Sequence, residues 1–506
     1  MIRVILRRLV SAAFLASVAL ILTMNPPVAF AAAGLPLVFE ANRGQAGGSH
    51  EFVSRADGYE VLLDPAGAVL VLPSSPSAPA ERLRLLLLDA QPQAWLEGSD
   101  ELPGKVAYLT GSDPAAWLSR IPTYAAVTEG GLYPGVTLTY RGDRRHLEIE
   151  LALAPGSDPR AIRLGIDGAN APRIDDSSGD LVLRAGGGEI RLLRPTARQM
   201  IRGEVVASAA SFVLRGVNEV GVLTSALDPE APLRLAIRVS RTLARGPIGT
   251  GDAVRIATDA KGNAYVAGRL RTRIGEPANA FVAKLSPDGS TRLYTVYFGG
   301  EGDDTPMGIA VDSAGQALVT GWTTSREFPV VAPLEPALRG PSDAFVSKLD
   351  AEGASFIYST YLGGDGADQG LAVDVDADGA AWVTGRTVGG EFPTTETAAQ
   401  GRPGGRSDAF VASLGADGSQ LLYSTYLGGS GDEAGAAIRV DRAGGVHVAG
   451  STRSVDFPVV NALQAAPGGA GHSPAGDAFV AKLDRGGERV LFATYLGGSV
   501  VAADSR

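Results

Sequence analysis

The sequence predicts an all-β chain: a β-rich, sandwich-like N-terminal domain, then a β-propeller repeat domain of four blades or an incomplete larger propeller. Three observations predict it. The phrase "YSTYLGG" stands at 358–364 and again at 423–429, with variants "YTVYFGG" from Tyr294 and "FATYLGG" from Phe492. Short runs that alternate apolar and polar residues fill the chain between glycine turns, which is the strand and hairpin signature. Finally, 66 Gly and 31 Pro coexist with 45% hydrophobic residues, a turn-rich globular composition rather than a disordered one.

Residues 1–31 read as an export signal. Arg3, Arg7 and Arg8 form a positive start, Leu9 to Met24 an uncharged apolar core, and Ala29-Phe30-Ala31 a small-x-small cleavage site after Pro26 and Pro27. The apolar core is shorter than the roughly 20 residues that span a bilayer, so cleavage is expected and no membrane span after it. Cleavage after Ala31 removes three arginines and no acids, taking the formal net charge from −10 to −13. An acidic chain without a basic run is a poor partner for nucleic acid. The absence of cysteine excludes disulfides, thiolate metal sites, a cysteine nucleophile and a lipidated N-terminal cysteine.

The N-terminal domain, residues 35–240, carries the runs "GYEVLL", "AVLVL", "VTLTY" and "HLEIELAL". Asp113 to Ser119 reads as one short helix, with Asp113 as N-cap and Pro114 at the first helical position.

The repeat domain, residues 252–498, keeps time on Tyr297, Tyr361, Tyr426 and Tyr495, at steps of 64, 65 and 69 residues. Upstream of each stands "NAFVAKL", "DAFVSKL", "DAFVASL" or "DAFVAKL"; downstream of the first three come "AVD" or "RVD", a turn, and "VTG" or "VAG". One turn carries Gly289, Gly353, Gly418 or Gly487. Another pairs Asp with Gly three residues on, at Asp259, Asp312, Asp376 and Asp441, where the carboxylate holds the turn backbone and glycine takes positive φ. Four strands per unit, apolar on both faces, describe a propeller blade.

From Phe281, Phe345 and Phe410 to the "VTG" or "VAG" glycine the distance is always 40, whereas that glycine to the next Phe varies over 13, 24, 25 and 29. The constant stretch reads as one rigid sheet, giving blades at about 280–322, 344–386 and 409–451, with the repeated phrase as an inner segment. Val254–Gly268 and Ala478–Gly498 are then two half-blades that could join and close a ring.

"DAFVSKLDAEGASFIYSTYLGG" followed by "IAVDSAGQALVTGWTTSREFP" resembles the SBBP beta-propeller repeat of bacterial extracellular proteins, over about residues 252–498. "VFEANRGQ", "PTYAAVTEGGLYPGVTLTYRG" and "APGSDPRAIRL" resemble the uncharacterised domain that often precedes such repeats. The resemblance implies a seven-bladed ring; this chain has material for four.

The sharpest local metal signal is "DVDADG", where Asp374, Asp376 and Asp378 alternate before Gly379. Such a set would take calcium, although it lacks the distal acid of an EF-hand and the sister repeats keep only the central Asp. No other cofactor is indicated. Acids also gather after the phrase, at Asp303 and Asp304, Asp365 and Asp368, Asp432 and Glu433, which would line a negative rim. His447 falls where sister repeats have Tyr265, Leu318 and Trp382, a packing position. "Phe-Pro" at 328, 392 and 457 opens the long connections, tucking the ring into the blade. No HExxH, G-x-S-x-G or phosphate-loop pattern occurs, so no catalytic residue is assigned. The expectation is a secreted, cell-surface or periplasmic non-enzymatic scaffold that binds a glycan or protein ligand through loops on one face of the disc. The alternatives are a polysaccharide hydrolase or lyase working at the axis, and a purely structural envelope protein.

Overall fold

The structure is a computed structural model describing residues 37–242 and 252–497, apart from 57–58, 66, 73–79, 92, 144–145, 186–187, 226, 271–276 and 469–475. The expected signal segment lies outside the described residues. From Leu37 onward the chain clusters as one compact unit. No helix among the described residues is long and apolar enough to cross a membrane.

The N-terminal strands follow the sequence pattern: Tyr59–Asp64, Gly67–Leu72, Val136–Gly142 and His146–Leu153 are the four runs quoted above. Antiparallel neighbours link Phe39–Ala41 through Phe52–Ala56, Tyr59–Asp64 and Gly67–Leu72 to Glu81–Leu87. On its other side Phe39–Ala41 pairs with Leu118–Tyr133, which continues through Val136–Gly142 and His146–Leu153 to Leu233–Thr242. One core draws on strands all along this path, from Phe39 and Val61 to Ile149, Leu183 and Ile237, so the sheet wraps over itself in a sandwich. The helix expected at Asp113 to Ser119 is a single 3-10 turn, Pro114–Ala116. Asp113 caps it as expected, accepting from Ala115 N, but the strand Leu118–Tyr133 takes the chain at once. Leu118 pairs with Tyr108 there, so sheet pairing outbids a helix with no buried residue of its own.

Four four-stranded blades follow among the described residues. The first is Asp252–Thr258, Ala264–Leu270, Asn279–Leu285 and Arg292–Gly299; the second is Asp304–Val311, Ala317–Thr323, Asp343–Leu349 and Phe356–Leu362. The third is Asp368–Val375, Ala381–Val388, Ser407–Leu414 and Leu421–Leu427; the fourth is Glu433–Val440, Val446–Thr452, Asp477–Leu483 and Val490–Leu496. The blade limits therefore differ from those the 40-residue constancy suggested. The second, third and fourth blades each begin after a copy of the phrase, and each copy is the outermost strand of the blade it ends, not an inner segment. The constant stretch contains the crossing from one blade's outer strand to the next blade's inner strand. Gly363 to Ala367 must pass over a sheet whose strands lie about 4.8 Å apart, so the crossing is taut and its length cannot drift. The variable stretch is the connection between the second and third strands of one blade, which runs outside the sheet and tolerates insertion.

The ends of the array are complete blades as well, so the two half-blades do not join. Tyr265 pairs with Lys284 and Phe479 with Gly450, each inside its own blade. First strands stack along the axis, Asp304–Val311 on Asp368–Val375 and that on Glu433–Val440, and no comparable packing links the fourth blade to the first among the described residues. Among the described residues the four blades therefore do not close on one another.

An outer strand is an exposed edge that a fold has to cover. In the second blade the connection that opens with Phe328-Pro329 does so as a strap. Val331 and Ser359 exchange backbone hydrogen bonds, both 2.9 Å, and Tyr361 N donates to Glu335 O. The straps of the third and fourth blades repeat this at Thr395 and Gln400, and at Val460 and Gln464. As expected, each strap phenylalanine is tucked in: Phe328, Phe392 and Phe457 lie 4.9, 4.4 and 4.7 Å, centroid to centroid, from Phe345, Phe410 and Phe479. The first blade lacks a Phe-Pro strap. Its outer strand Arg292–Gly299 pairs in parallel with Trp95–Thr110 of the N-terminal domain, Tyr297 opposite Tyr108. Tyr108 stacks on Tyr297 at 5.1 Å, and Phe281 packs against the cluster these two rings form with Val106 and Ile121. On the opposite face of the same strand, Ala107 and Leu109 enter the core between the first and second blades.

Candidate functional site: carboxylates at the blade junctions

Where an outer strand crosses to the next blade, its glycine pair is gripped by acids. At the second junction Gly364 N donates to Asp368, Gly363 N to Glu335, and Arg339 N and Gly340 N to Asp343. A Cβ on Gly363 would lie 2.7 Å from Asp368 Oδ2 and 2.8 Å from Asp343 Cγ, so only glycine fits between the two carboxyls. The next junction repeats the plan: Gly429 N donates to Glu433, Gly428 N to Gln400, and Gly404 N to Asp408. At the first junction Gly300 N donates to Asp304, while Asn279 stands in the third-strand position. Thr323 and Ser325 hydroxyls also donate to Asp304, as Thr452 and Ser454 do to Glu433.

Burial dominates the electrostatics. It pushes Asp304 up to about 7, Glu335 to about 7 and Asp368 to about 6, against the opposing pull of the donors just named. Asp343 and Asp408 are raised by burial too. Raised carboxyls are what acid–base chemistry uses. Here, however, Gln400 and Gln464 do in the third and fourth blades what Glu335 does in the second, each accepting from a phrase glycine. A position that an amide fills equally well is kept for its acceptor oxygen, not for a proton.

The expected negative rim is accordingly split. Asp304, Asp368 and Glu433 are fully buried in the frame, and only their neighbours face solvent. Two of those neighbours meet arginines: Arg339 reaches Asp365 at 3.3 Å and Glu391 at 3.1 Å, and Arg406 reaches Asp432 at 3.3 Å. The outer rim is therefore a mixed-charge surface.

The three acids of "DVDADG" have separate partners. Asp374 is buried and accepts from Val440 N at 2.8 Å and from Arg439 at 3.2 Å, tying the third blade to the fourth. Asp376 accepts from Asp378 N, Ala380 N and Trp382 Nε1, the turn role. Asp378 is exposed beside Arg485. No group of three acidic or histidine side chains among the described residues is placed to hold a metal ion. His447 Nε2 donates to the Asp441 carboxylate at 3.0 Å, as Tyr265 and Trp382 donate to the equivalent aspartates.

Sequence reasoning missed Glu335, Gln400 and Gln464, which sit in the connections of variable length. The available signal was their place seven or eight residues beyond each strap phenylalanine. It also missed Arg55, which lies over both Tyr108 and Tyr297 and pairs with Glu40 at 3.0 Å. Nothing local marks the ring contacts, since the two tyrosines are 53 and 242 residues away.

Residues 39–235 match a domain of unknown function (DUF7948), and residues 293–329 match the SBBP beta-propeller repeat. No curated protein matches the chain. Among solved structures, a glycoside hydrolase family 81 enzyme from Clostridium thermocellum is similar at 8% identity and a TM-score of 0.26, over 51% of this chain and 33% of that one. This chain thus spans about a third of that enzyme's length. A quinohemoprotein alcohol dehydrogenase from Pseudomonas putida is similar at 11% identity and a TM-score of 0.21, over 89% of this chain and 72% of that one. Likenesses this slight carry no argument about function.

Proposed function

We propose that the protein is an exported propeller scaffold that binds an extracellular glycan or protein through its strap and crossing loops. The observation that supports this is where the repeats differ. Strand, turn and junction residues recur from blade to blade, whereas sequence length and composition change in the connections at 324–342, 389–406 and 453–476. Variable loops on a rigid repeated frame are how repeat proteins build recognition surfaces. The mixed rim of Arg339, Asp365, Glu391, Arg406 and Asp432 offers both donors and acceptors, suited to a polar, hydroxyl-rich ligand. Calcium at Asp374, Asp376 and Asp378 would be an accessory to this role.

A glycan array probed with the purified chain tests the reading. The expected result is retention of a defined glycan class that Arg339→Ala weakens at least tenfold while the melting temperature holds. Retention unaffected by strap and rim substitutions would overturn it, as would no binding on glycan or surface-protein arrays. Export is tested separately: N-terminal sequencing of secreted material should begin within a few residues of Ala32.

A further inference from the structure

In the N-terminal domain, strand Thr196–Ile201 has an arginine at every fourth residue, from just before it to the turn after it: Arg194, Arg198 and Arg202. Side chains alternate across a strand, and burial here follows that alternation. Arg194, Thr196 and Arg198 are exposed, whereas Pro195, Ala197 and Gln199 between them are buried. Four residues of extended chain span about 13 Å, so the charges on this face mark a line rather than a point. Arg202 continues it as an exposed residue of the hairpin turn. None of the three forms an ion pair among the described residues. Arg194 is held through Nε, which donates to Ala210 O at 3.1 Å, and its two terminal amino groups make no hydrogen bond among the described residues.

The neighbouring strands treat their arginines differently. On the same face of the sheet Glu150 takes Arg141 and Arg234, each at 2.7 Å, and Glu148 takes Arg238 at 2.7 Å. The register between Thr196–Ile201 and Leu233–Thr242 sets Arg198 directly opposite Arg234. Like charges opposite each other across a sheet repel, and Glu150 is already committed, so an anion above Arg198 would balance this row. There is also room for one. On the other side of Arg198 stands Ala207 of Glu204–Ser208, and Ala209 follows on the same alternation. These small side chains, with Arg194, Thr196 and Arg198, bound an open groove of about 300 Å³. Glu204, the acid of this hairpin, pairs with Ile201 and so falls on the opposite face.

We propose that this face of the N-terminal domain binds an acidic polysaccharide, carboxylated or sulfated, with one sugar in the alanine-floored groove and its anionic groups laid along Arg194, Arg198 and Arg202. The planar fork of arginine meets an anionic group with two hydrogen bonds at once. Charges set out in a line suit a polymer that repeats its anionic group. The apolar floor takes the C–H face of a sugar ring, and the Thr196 hydroxyl can bond its hydroxyls. This is a second surface, on a different domain from the strap rim, and it does not depend on ligand binding there.

Retention of the purified chain on immobilised polygalacturonate and on dextran sulfate, with neutral dextran as control, tests this. The chain is expected to bind one or both acidic polymers, to pass neutral dextran and to be released as salt rises. Which column retains it tells a carboxylated ligand from a sulfated one. Arg198→Ala changes an exposed residue, so it should keep the native melting temperature and weaken retention about tenfold, the loss of one charge-assisted contact. Ala207→Leu fills the groove without altering charge and should weaken retention as well. Arg339→Ala, on the rim, should leave it unchanged, so failure at one surface is told apart from failure at the other. No retention on either acidic polymer overturns the proposal, as does retention that survives Arg198→Ala or Ala207→Leu. Equal retention on polyglutamate or duplex DNA also overturns it, because charge alone would then be recognised.

Discussion

Every letter of the repeated phrase has a task. In "YSTYLGG" of the second blade, Tyr358 underlies the next blade's turn at Gly418, and the Ser359 hydroxyl donates to Pro329 O. Thr360 accepts from Glu335 N, Leu362 fills the interblade core, and the glycines pass between acids. Tyr361 closes the strap: its hydroxyl accepts from Phe328 N at 3.1 Å and donates to Ser325 O at 2.8 Å. Tyr361→Phe should therefore cost roughly 1–3 kcal/mol, because two buried groups lose their partner. Urea denaturation measures it, and a cost near zero would mean the strap is held otherwise. Gly379 sits at φ +84° in its Asp turn, so Gly379→Val should cost roughly 1–3 kcal/mol through backbone strain. Calcium is tested at the same loop. With Asp374 occupied by Val440 N and Arg439, calcium is expected to leave the melting temperature unchanged. A rise abolished by Asp374→Asn would instead establish the metal site.

Elements were legible in the sequence wherever one period and one turn chemistry defined them. The Asp turns and hairpin glycines stand where the spacing put them, because both depend on residues a few positions apart. Blade limits were not legible, because a constant length marks any taut segment, a crossing as readily as a sheet. The edge-covering role of Trp95–Thr110 was equally hidden, since no local pattern says which distant strand will meet Arg292–Gly299. That pairing makes the N-terminal domain the first blade's strap. Tyr108→Ala removes the ring stacked on Tyr297 and the hydroxyl bonded to Glu40 at 2.7 Å. Amide exchange should then rise selectively in Arg292–Gly299, while Phe356–Leu362, covered by its own strap, keeps its protection. Equal exchange in native and variant chains would show that the first blade does not depend on the neighbouring domain.

For the molecule as a whole, the junction acids make stability depend on pH, and the sign follows from their burial. Asp304 and Glu335 titrate at about 7 and Asp368 at about 6, with Asp343 and Asp408 also raised. In an unfolded chain such groups titrate near about 4. The folded state therefore binds protons more tightly, so the stabilisation is complete below about pH 4 and disappears as pH rises through about 6 to 7. Asp441 acts in the opposite sense, held low by the hydrogen bond from Lys482. Its effect falls in a separate window below the usual carboxylate range. The melting temperature should accordingly be higher near about pH 5 than near about pH 8. Glu335→Gln writes into the second blade what the third and fourth already have at Gln400 and Gln464. It keeps the acceptor for Gly363 N and removes a carboxyl that must ionise in place. The variant should melt higher than the native chain at about pH 8 and lose part of the slope between the two pH values. If Glu335→Gln instead melts lower at the alkaline end, the carboxylate is ionised and paired there, and the structural role drawn from its amide counterparts is wrong.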